Sequence, residues 1–147
     1  MVLREAVRAD LPAVIALLAD DELGRTREQA VVDDVYERAF DDIAADPRNE
    51  LIVADDDGEI VGCMQLTYIP GLSRHGAQRS QIEGVRVRSD RRGERLGEQM
   101  ITWAIDQARE RGCALVQLTT DRARTDAHRF YERLGFIASH HGMKLAL

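Results

Sequence analysis

The sequence predicts a mixed α/β domain with the element order βααβββαβαββ, and three observations predict it. Apolar residues recur at helical spacing in four separate segments. Between them lie short alternating or continuous apolar runs, two of which flank Asp55-Asp56-Asp57-Gly58. One such run, Gln81 to Arg88, passes through a glycine-containing turn into a long amphipathic helix and then a further strand, which makes a parallel crossover.

Val2 to Val7 reads as the first strand. Asp10 stands as an N-cap ahead of Pro12, and Leu11, Val14, Ile15 and Leu18 follow at helical spacing. A polar break from Glu22 to Arg27 precedes a second helix, in which Val31 or Val32, Val35, Ala39 and Ile43 recur before Pro47 closes the region. Leu51–Ala54 and Ile60–Ile69 form a hairpin, because the Asp57-Gly58 step supplies the positive φ of a tight turn. Pro70-Gly71 ends it, and the polar, aperiodic stretch from Leu72 to Arg79 is expected to be a mobile loop. Gln81 to Arg88 alternates, with Ile82, Val85 and Val87 apolar and Glu83 among them, and forms a fourth strand. Leu96, Met100, Ile101, Ala104, Ile105 and Ala108 mark an amphipathic helix ending at Gly112. Ala114–Leu118 is a fifth strand and Asp126–Leu134 a short helix stopped by Gly135. Phe136–Ala138 and Met143–Leu147 are closing strands around His141-Gly142.

The chain of 147 residues matches one domain, residues 1–147, large enough for a real core. Hydrophobic residues at 44% and charged residues at 31% exclude a disordered chain. Two cysteines, Cys63 and Cys113, are too few for a disulfide-stapled mini-fold or a structural zinc site. His140 and His141 are adjacent and would face opposite sides of a strand, so no metal is expected. The N-terminal MVLREAVRAD has no apolar signal core and no run reaches the ~20 apolar residues of a membrane span, so a cytoplasmic location without membrane partners is expected. The net charge of −6 argues against a nucleic-acid partner. Against that acidic total, Arg86, Arg88, Arg91, Arg92 and Arg95 gather near Asp90 and Glu94. Such a patch suits either a small anionic ligand or a solvated, salt-bridged surface.

The segment from Val85 to Glu98 carries the most chemistry. The first amides of a helix lack internal partners and lie at the positive end of its dipole, so they hold phosphate well. Gly93 lets the backbone turn, and Gly97 lets a ligand approach. Arg91, Arg92 and Arg95 are cations at the helix end that disfavours them, a placement that makes sense with an anion between them. The segment has neither Gly-Lys-Ser/Thr nor G-x-G-x-x-G, which excludes a P-loop and a dinucleotide fingerprint.

Arg92-Gly93-Glu94-Arg95-Leu96-Gly97 resembles the acetyl-CoA-binding motif of the GNAT family of N-acetyltransferases, Arg/Gln-x-x-Gly-x-Gly/Ala, with Arg95 standing where the family most often has glycine. Ala127-His128-Arg129-Phe130-Tyr131-Glu132-Arg133-Leu134-Gly135-Phe136 is similar to the family's closing A-x-x-F-Y-x-x-x-G-F signature. Arg124 stands where the family often has asparagine. The resemblance implies a centrally splayed sheet flanked by helices, and acetyl transfer from acetyl-CoA to an amine by direct attack in a ternary complex. It places the pantetheine beside Val85, Arg86 and Val87, and the pyrophosphate on the amides from Arg92 through Gly93, Glu94, Arg95, Leu96 and Gly97 to Glu98. Arg124 and Phe130 stand at further cofactor-side positions, Phe130 being equally a packing residue. Family members are commonly dimers, and the closing strands would offer an edge for a homodimer.

The resemblance also implies roles in catalysis. An alkylammonium with a pKa near ~10 costs ~4 kcal/mol to deprotonate at neutral pH. Glu83 is the candidate base, directly or through water. Burial beside Ile82 and Val85 would raise its pKa toward a useful value, whereas exposure or pairing with Arg79 or Arg86 would leave it structural. Tyr131 is the candidate acid for the departing thiolate, and otherwise a packed tyrosine. The acceptor stays open. Acidic residues of the first helices would favour a cationic small-molecule amine, and Arg74 or His75 would favour one bearing phosphate, phosphonate or carboxylate. The block from Asp126 to Tyr131 is also similar to aminoalkylphosphonate acetyltransferases but does not choose among these. A protein or peptide amine, or a non-catalytic acyl-CoA sensor of the same fold, are the alternatives.

Overall fold

The computed structural model describes residues 1–20 and 31–147, so the polar break from Glu22 to Arg27 lies outside the described residues. Two compact units follow one another, Met1–Gln117 and Leu118–Leu147. The first holds β1 (Val2–Glu5), α1 (Leu11–Ala19), α2 (Asp34–Ala45), β2 (Asn49–Asp56), β3 (Glu59–Ile69), β4 (Arg79–Val87) and α3 (Leu96–Glu110), with most of β5 (Leu115–Leu118). The second holds α4 (Thr125–Arg133). The strands form one open sheet in the order β1-β2-β3-β4-β5.

Local chemistry sets most element ends. Asp57 and Gly58 take φ of 57° and 91°, the paired positive values of a tight hairpin turn. Asp33 caps α2, its carboxylate accepting from the amides of Val35 and Tyr36 at 3.0 and 3.2 Å. Asp10 behaves differently from the expected cap. It precedes α1 but bonds backward, accepting from Val7 N–H at 2.8 Å and from both terminal nitrogens of Arg4 at 2.7 and 3.1 Å. Arg4 also donates to Asp55 on β2, so one guanidinium ties β1, the start of α1 and β2 together. The loop after β3 contains a helical turn, Ser73–Gly76, in which Arg74 and His75 are left-handed at φ of 55° and 62°.

Strand pairing sorts side chains onto two faces. Val53 pairs with Cys63 and Leu51 with Gln65, which puts them on one face with α1 and α2. There Val14 and Leu17 pack on Val53 and Cys63, while Leu11, Ile15 and Phe40 form an adjoining cluster against Leu51. Gly62, Met64, Leu66 and Ile82 share the other face, under α3. Gly62 lets α3 come close, since a Cβ there would lie 2.9 Å from the Met100 sulfur.

β4 is not the plain alternating strand expected. Gln65 pairs with Glu83 but Cys63 pairs with Arg86, so β4 carries one extra residue. Gly84 takes φ of +60° at this bulge, a conformation glycine adopts without strain. The bulge shifts the alternation by one. Ile82 on one side of it and Val85 and Val87 on the other therefore reach the same face, with Val87 opposite Gly62.

The segment after α4 also departs from expectation. Phe136–Ala138 and Met143–Leu147 do not form strands. A strand persists only where a neighbour satisfies its backbone groups. Phe136 N–H turns back to Tyr131 C=O and Ser139 N–H to Ile137 C=O. Among the described residues, the backbone of 140–147 makes no hydrogen bond to another segment.

Candidate active site

The bulge and the start of α3 create a bare strand edge that ends on a helix N-terminus. β5 runs parallel to β4. Ala114 N–H donates to Gln78 C=O at 2.8 Å, and the Gln117 side chain donates to that of Gln81 at 2.9 Å, three residues further along both strands. β5 ends one residue beyond Gln117, whereas β4 continues through the bulge to Val87. Among the described residues, no strand runs beside Val85, Arg86 and Val87 on that side. These three are half-buried, so their edge is accessible without being flat surface. An extended ligand with amide groups can pair with such an edge whatever its side chains.

From Val87 the chain turns through Ser89–Arg91 and Gly93, at φ of +86°, to Arg95, which is left-handed at φ 64° and opens α3. Among the described residues, no side chain caps this helix, so the amides of Leu96, Gly97 and Glu98 stay open. Leu96 is buried and anchors the first turn. Most of the arginines are already balanced. Arg88 is held by Asp90 and Glu59, and Arg91 by Glu94 at 2.7 Å and Asp56 at 2.9 Å. Both guanidiniums are thereby raised above their ordinary pKa, and Asp56 and Asp90 are held below theirs, chiefly by hydrogen bonding to the same arginines. Arg95 projects into solvent, 77% exposed, beside Glu98 at 2.9 Å. Arg92 makes only a 3.4 Å bond to Val87 C=O and no ion pair among the described residues. Arg92 is thus the cation of this turn that an incoming anion reaches without breaking a pair.

Glu83 stands immediately before the bulge. It is exposed and lies on the face opposite Ile82, with Gln65 as its cross-strand partner. This corrects the expectation that Ile82 and Val85 bury it, since strand alternation and the bulge send both valines and Ile82 to the α3 side. Around Glu83 the same face carries a half-buried polar row. Thr67 donates to Asn49 at 2.8 Å and Gln65 to the same amide oxygen at 3.4 Å, while Gln81 accepts from Gln117. The sequence reading missed this row and the Gly84 bulge. The signal for the bulge was there, in the slip of apolar phase from Ile82 to Val85 and Val87.

The second unit carries the remaining candidates. Arg124 precedes α4, and its C=O accepts from His128 N–H at 3.2 Å. Tyr131 is half-buried and packs edge-on against Phe130 and Phe136, with ring centroids 5.1 and 5.7 Å apart. Phe130 therefore serves packing at least within this unit. Among the described residues, no group of three or more His, Cys, Asp and Glu side chains is placed to hold a metal, and no helix is long and apolar enough to cross a membrane. Cys63 is fully buried, and burial pushes its thiol up to about 12.

Comparison with known proteins agrees with this architecture. The model of the acetyltransferase (GNAT) family matches residues 13–136. The chain is 32% identical over 145 residues to an aminoalkylphosphonate N-acetyltransferase of Salmonella typhimurium, covering 99% of this chain and 90% of that one. It is 29% identical over 138 residues to an L-methionine sulfoximine/L-methionine sulfone acetyltransferase of Pseudomonas aeruginosa, covering 91% and 78%. A crystal structure described as a transcriptional regulator from Bacillus halodurans C-125 is 51% identical, with a TM-score of 0.97 and 99% of both chains covered. The chain belongs to the acetyltransferase (GNAT) family and is an N-acetyltransferase.

Proposed function

We propose that the protein transfers the acetyl group of acetyl-CoA to the primary amine of a small polar molecule, by direct attack while both substrates are bound. The observation that carries this reading is the bare edge of β4 beyond the Gly84 bulge, leading straight to the uncapped start of α3. Val85, Arg86 and Val87 would pair with the amides of the pantetheine arm. The amides from Leu96 to Glu98, with Arg92 beside them, would take the pyrophosphate.

The acceptor would approach over the α1 and α2 face, where Gln65, Thr67, Gln81 and Glu83 present amides, a hydroxyl and a carboxylate. Glu83 would take the ammonium proton, directly or through water, and so free the nitrogen lone pair. The nitrogen would then bond to the thioester carbon as the carbon–sulfur bond breaks, and the leaving thiolate would take a proton, a role the resemblance to the family's closing motif gives to Tyr131. A polar floor favours an amine with hydrogen-bonding groups close to it. That agrees with the aminoalkylphosphonate and methionine sulfoximine named for the relatives. A thiol-release assay over a panel of such amines tests the reading. Saturable release with one class of polar amine is expected, and Glu83→Gln should lose most activity near neutrality and regain part at high pH, where the amine is free. A flat response to that substitution would move the base elsewhere.

A further inference from the structure

We infer that Gln65 is a second holder of the acceptor's nitrogen, and that its carbonyl oxygen is kept for this by a relay running from Asp46 through Asn49. The inference rests on the reading just given for Glu83 and adds the group that decides what kind of amine is taken. The direction of the relay follows from which atoms can donate. An ionised carboxylate only accepts, so Asp46 fixes one end. It accepts from the Arg48 N–H at 2.8 Å and from the Asn49 side-chain nitrogen at 3.0 Å. With that nitrogen committed, Asn49 offers its Oδ1 to β3. There the Thr67 hydroxyl donates to it at 2.8 Å and the Gln65 side-chain nitrogen at 3.4 Å. Gln65 thus spends its nitrogen on Asn49 and keeps Oε1, an acceptor, for whatever lies over the sheet.

Glu83 is the residue directly across from Gln65 on β4. Residues so paired hold their Cβ atoms about 4.5–5.5 Å apart on one face. Among the described residues, neither Oε1 of Gln65 nor the Glu83 carboxylate accepts a hydrogen bond. Gln65 is half-buried and Glu83 exposed, so the two acceptors open onto the face together. Such a pair suits one group that donates twice. An alkylammonium has three N–H groups and can give one to Glu83 and one to Oε1 of Gln65. Once Glu83 has taken its proton, Gln65 still holds the nitrogen and limits how the freed lone pair can turn. The site is therefore matched to a cationic primary or monomethylated amine, and a hydroxyl, which donates once and carries no charge, fills it poorly. Gln65 is a specificity residue in this arrangement, and Asn49 a positioning residue acting through it.

The test is kinetic and uses the intact chain with the panel amine that gives the fastest thiol release. Gln65→Met keeps the length of the side chain and loses the acceptor. Its kcat/KM for the amine should fall about tenfold or more, carried by KM, with the KM for acetyl-CoA within about twofold of the parent. Asn49→Leu should cost about threefold alone and nothing further in the Gln65→Met background. On the unmodified protein, the N-methyl form of the amine keeps two N–H groups as an ammonium and should compete for the site about as well as the amine itself. The N,N-dimethyl form keeps one and should compete about tenfold worse. If a variant fails to fold, this step between the two methylated forms decides alone. Unchanged amine kinetics in Gln65→Met, a further loss on adding Asn49→Leu, or no such step would overturn the inference, and the earlier reading would stand as long as Glu83→Gln still loses activity. No release from any amine by the unmodified protein would overturn both.

Discussion

Gly62→Ala is a sharp test of how α3 is set against the sheet. A Cβ at this position would meet the Met100 sulfur at 2.9 Å, the Met100 methyl at 3.3 Å and the Arg86 carbonyl oxygen at 3.0 Å. The methionine tip can swing aside at little cost. The carbonyl cannot, because it belongs to β4 just past the bulge, and β4 must move with it. Overpacking of this kind costs about 1–3 kcal/mol. At about 2–4 °C per kcal/mol for a chain of this size, the melting temperature should fall by roughly 2–12 °C. The same shift displaces the Arg86 backbone, so acetyl-CoA binding should weaken as well. Thermal unfolding and calorimetry on the single variant, repeated in a Met100→Leu background, separate the two contacts. The shorter side chain should reduce the alanine cost by at least ~0.5 kcal/mol without abolishing it. A Gly62→Ala protein within about 0.5 kcal/mol of the parent would refute the reasoning.

Three other outcomes are expected. A Cβ at Gly93 would meet nothing within 4 Å, but φ of +86° disfavours any side chain there, so Gly93→Ala should cost about 1–2 kcal/mol, with weaker acetyl-CoA binding by calorimetry. Arg4→Met leaves Asp10 buried with only the Val7 amide, costing about 1–3 kcal/mol by urea unfolding. Hydrogen bonding to Arg4 holds the Asp10 carboxyl below its usual range, so this contribution is present above the unfolded pKa and lost as pH falls through the folded one. The gap between parent and variant should therefore narrow below about pH 4. A thiol reagent should modify Cys113 in the native protein and reach Cys63 only on unfolding, because Cys63 is buried and its thiol pushed up to about 12. Fast labelling of both thiols would contradict the packing of α1 on β3.

Features fixed by neighbouring residues were legible in the sequence. Asp57-Gly58 reads as a turn because the positive φ it needs is a property of those two residues. The periodicity from Leu96 to Ala108 reads as a helix because one face must be apolar. The turn at Arg92–Gly97 could be located for the same reason, since a glycine and a helix start are both local. What depended on distant partners was not legible. Asp10 looks like a cap until Arg4 and Asp55 are found beside it. Glu83 could be placed on a strand, but its face depends on the Gly84 bulge, and that shows only as a slipped apolar phase. The run from Met143 to Leu147 alternates as a strand does, but alternation cannot supply a neighbour, and among the described residues its backbone pairs with none.

The far end of α3 has a consequence for how the site can respond. Arg111, just past the helix, pairs with Glu50 at the start of β2, donates to Pro47 C=O at 3.3 Å and stacks 4.0 Å over the Tyr68 ring. Burial raises the Glu50 carboxyl above its usual range, and the Arg111 charge offsets part of that. The helix is thus pinned at its tail by Arg111, wedged in its second turn where Met100 meets Gly62, and anchored in its first by buried Leu96. On the proposed reading, a diphosphate would meet a helix already fixed at both ends, so any adjustment would fall on the turn before Leu96 and leave the hydrophobic layer beneath undisturbed.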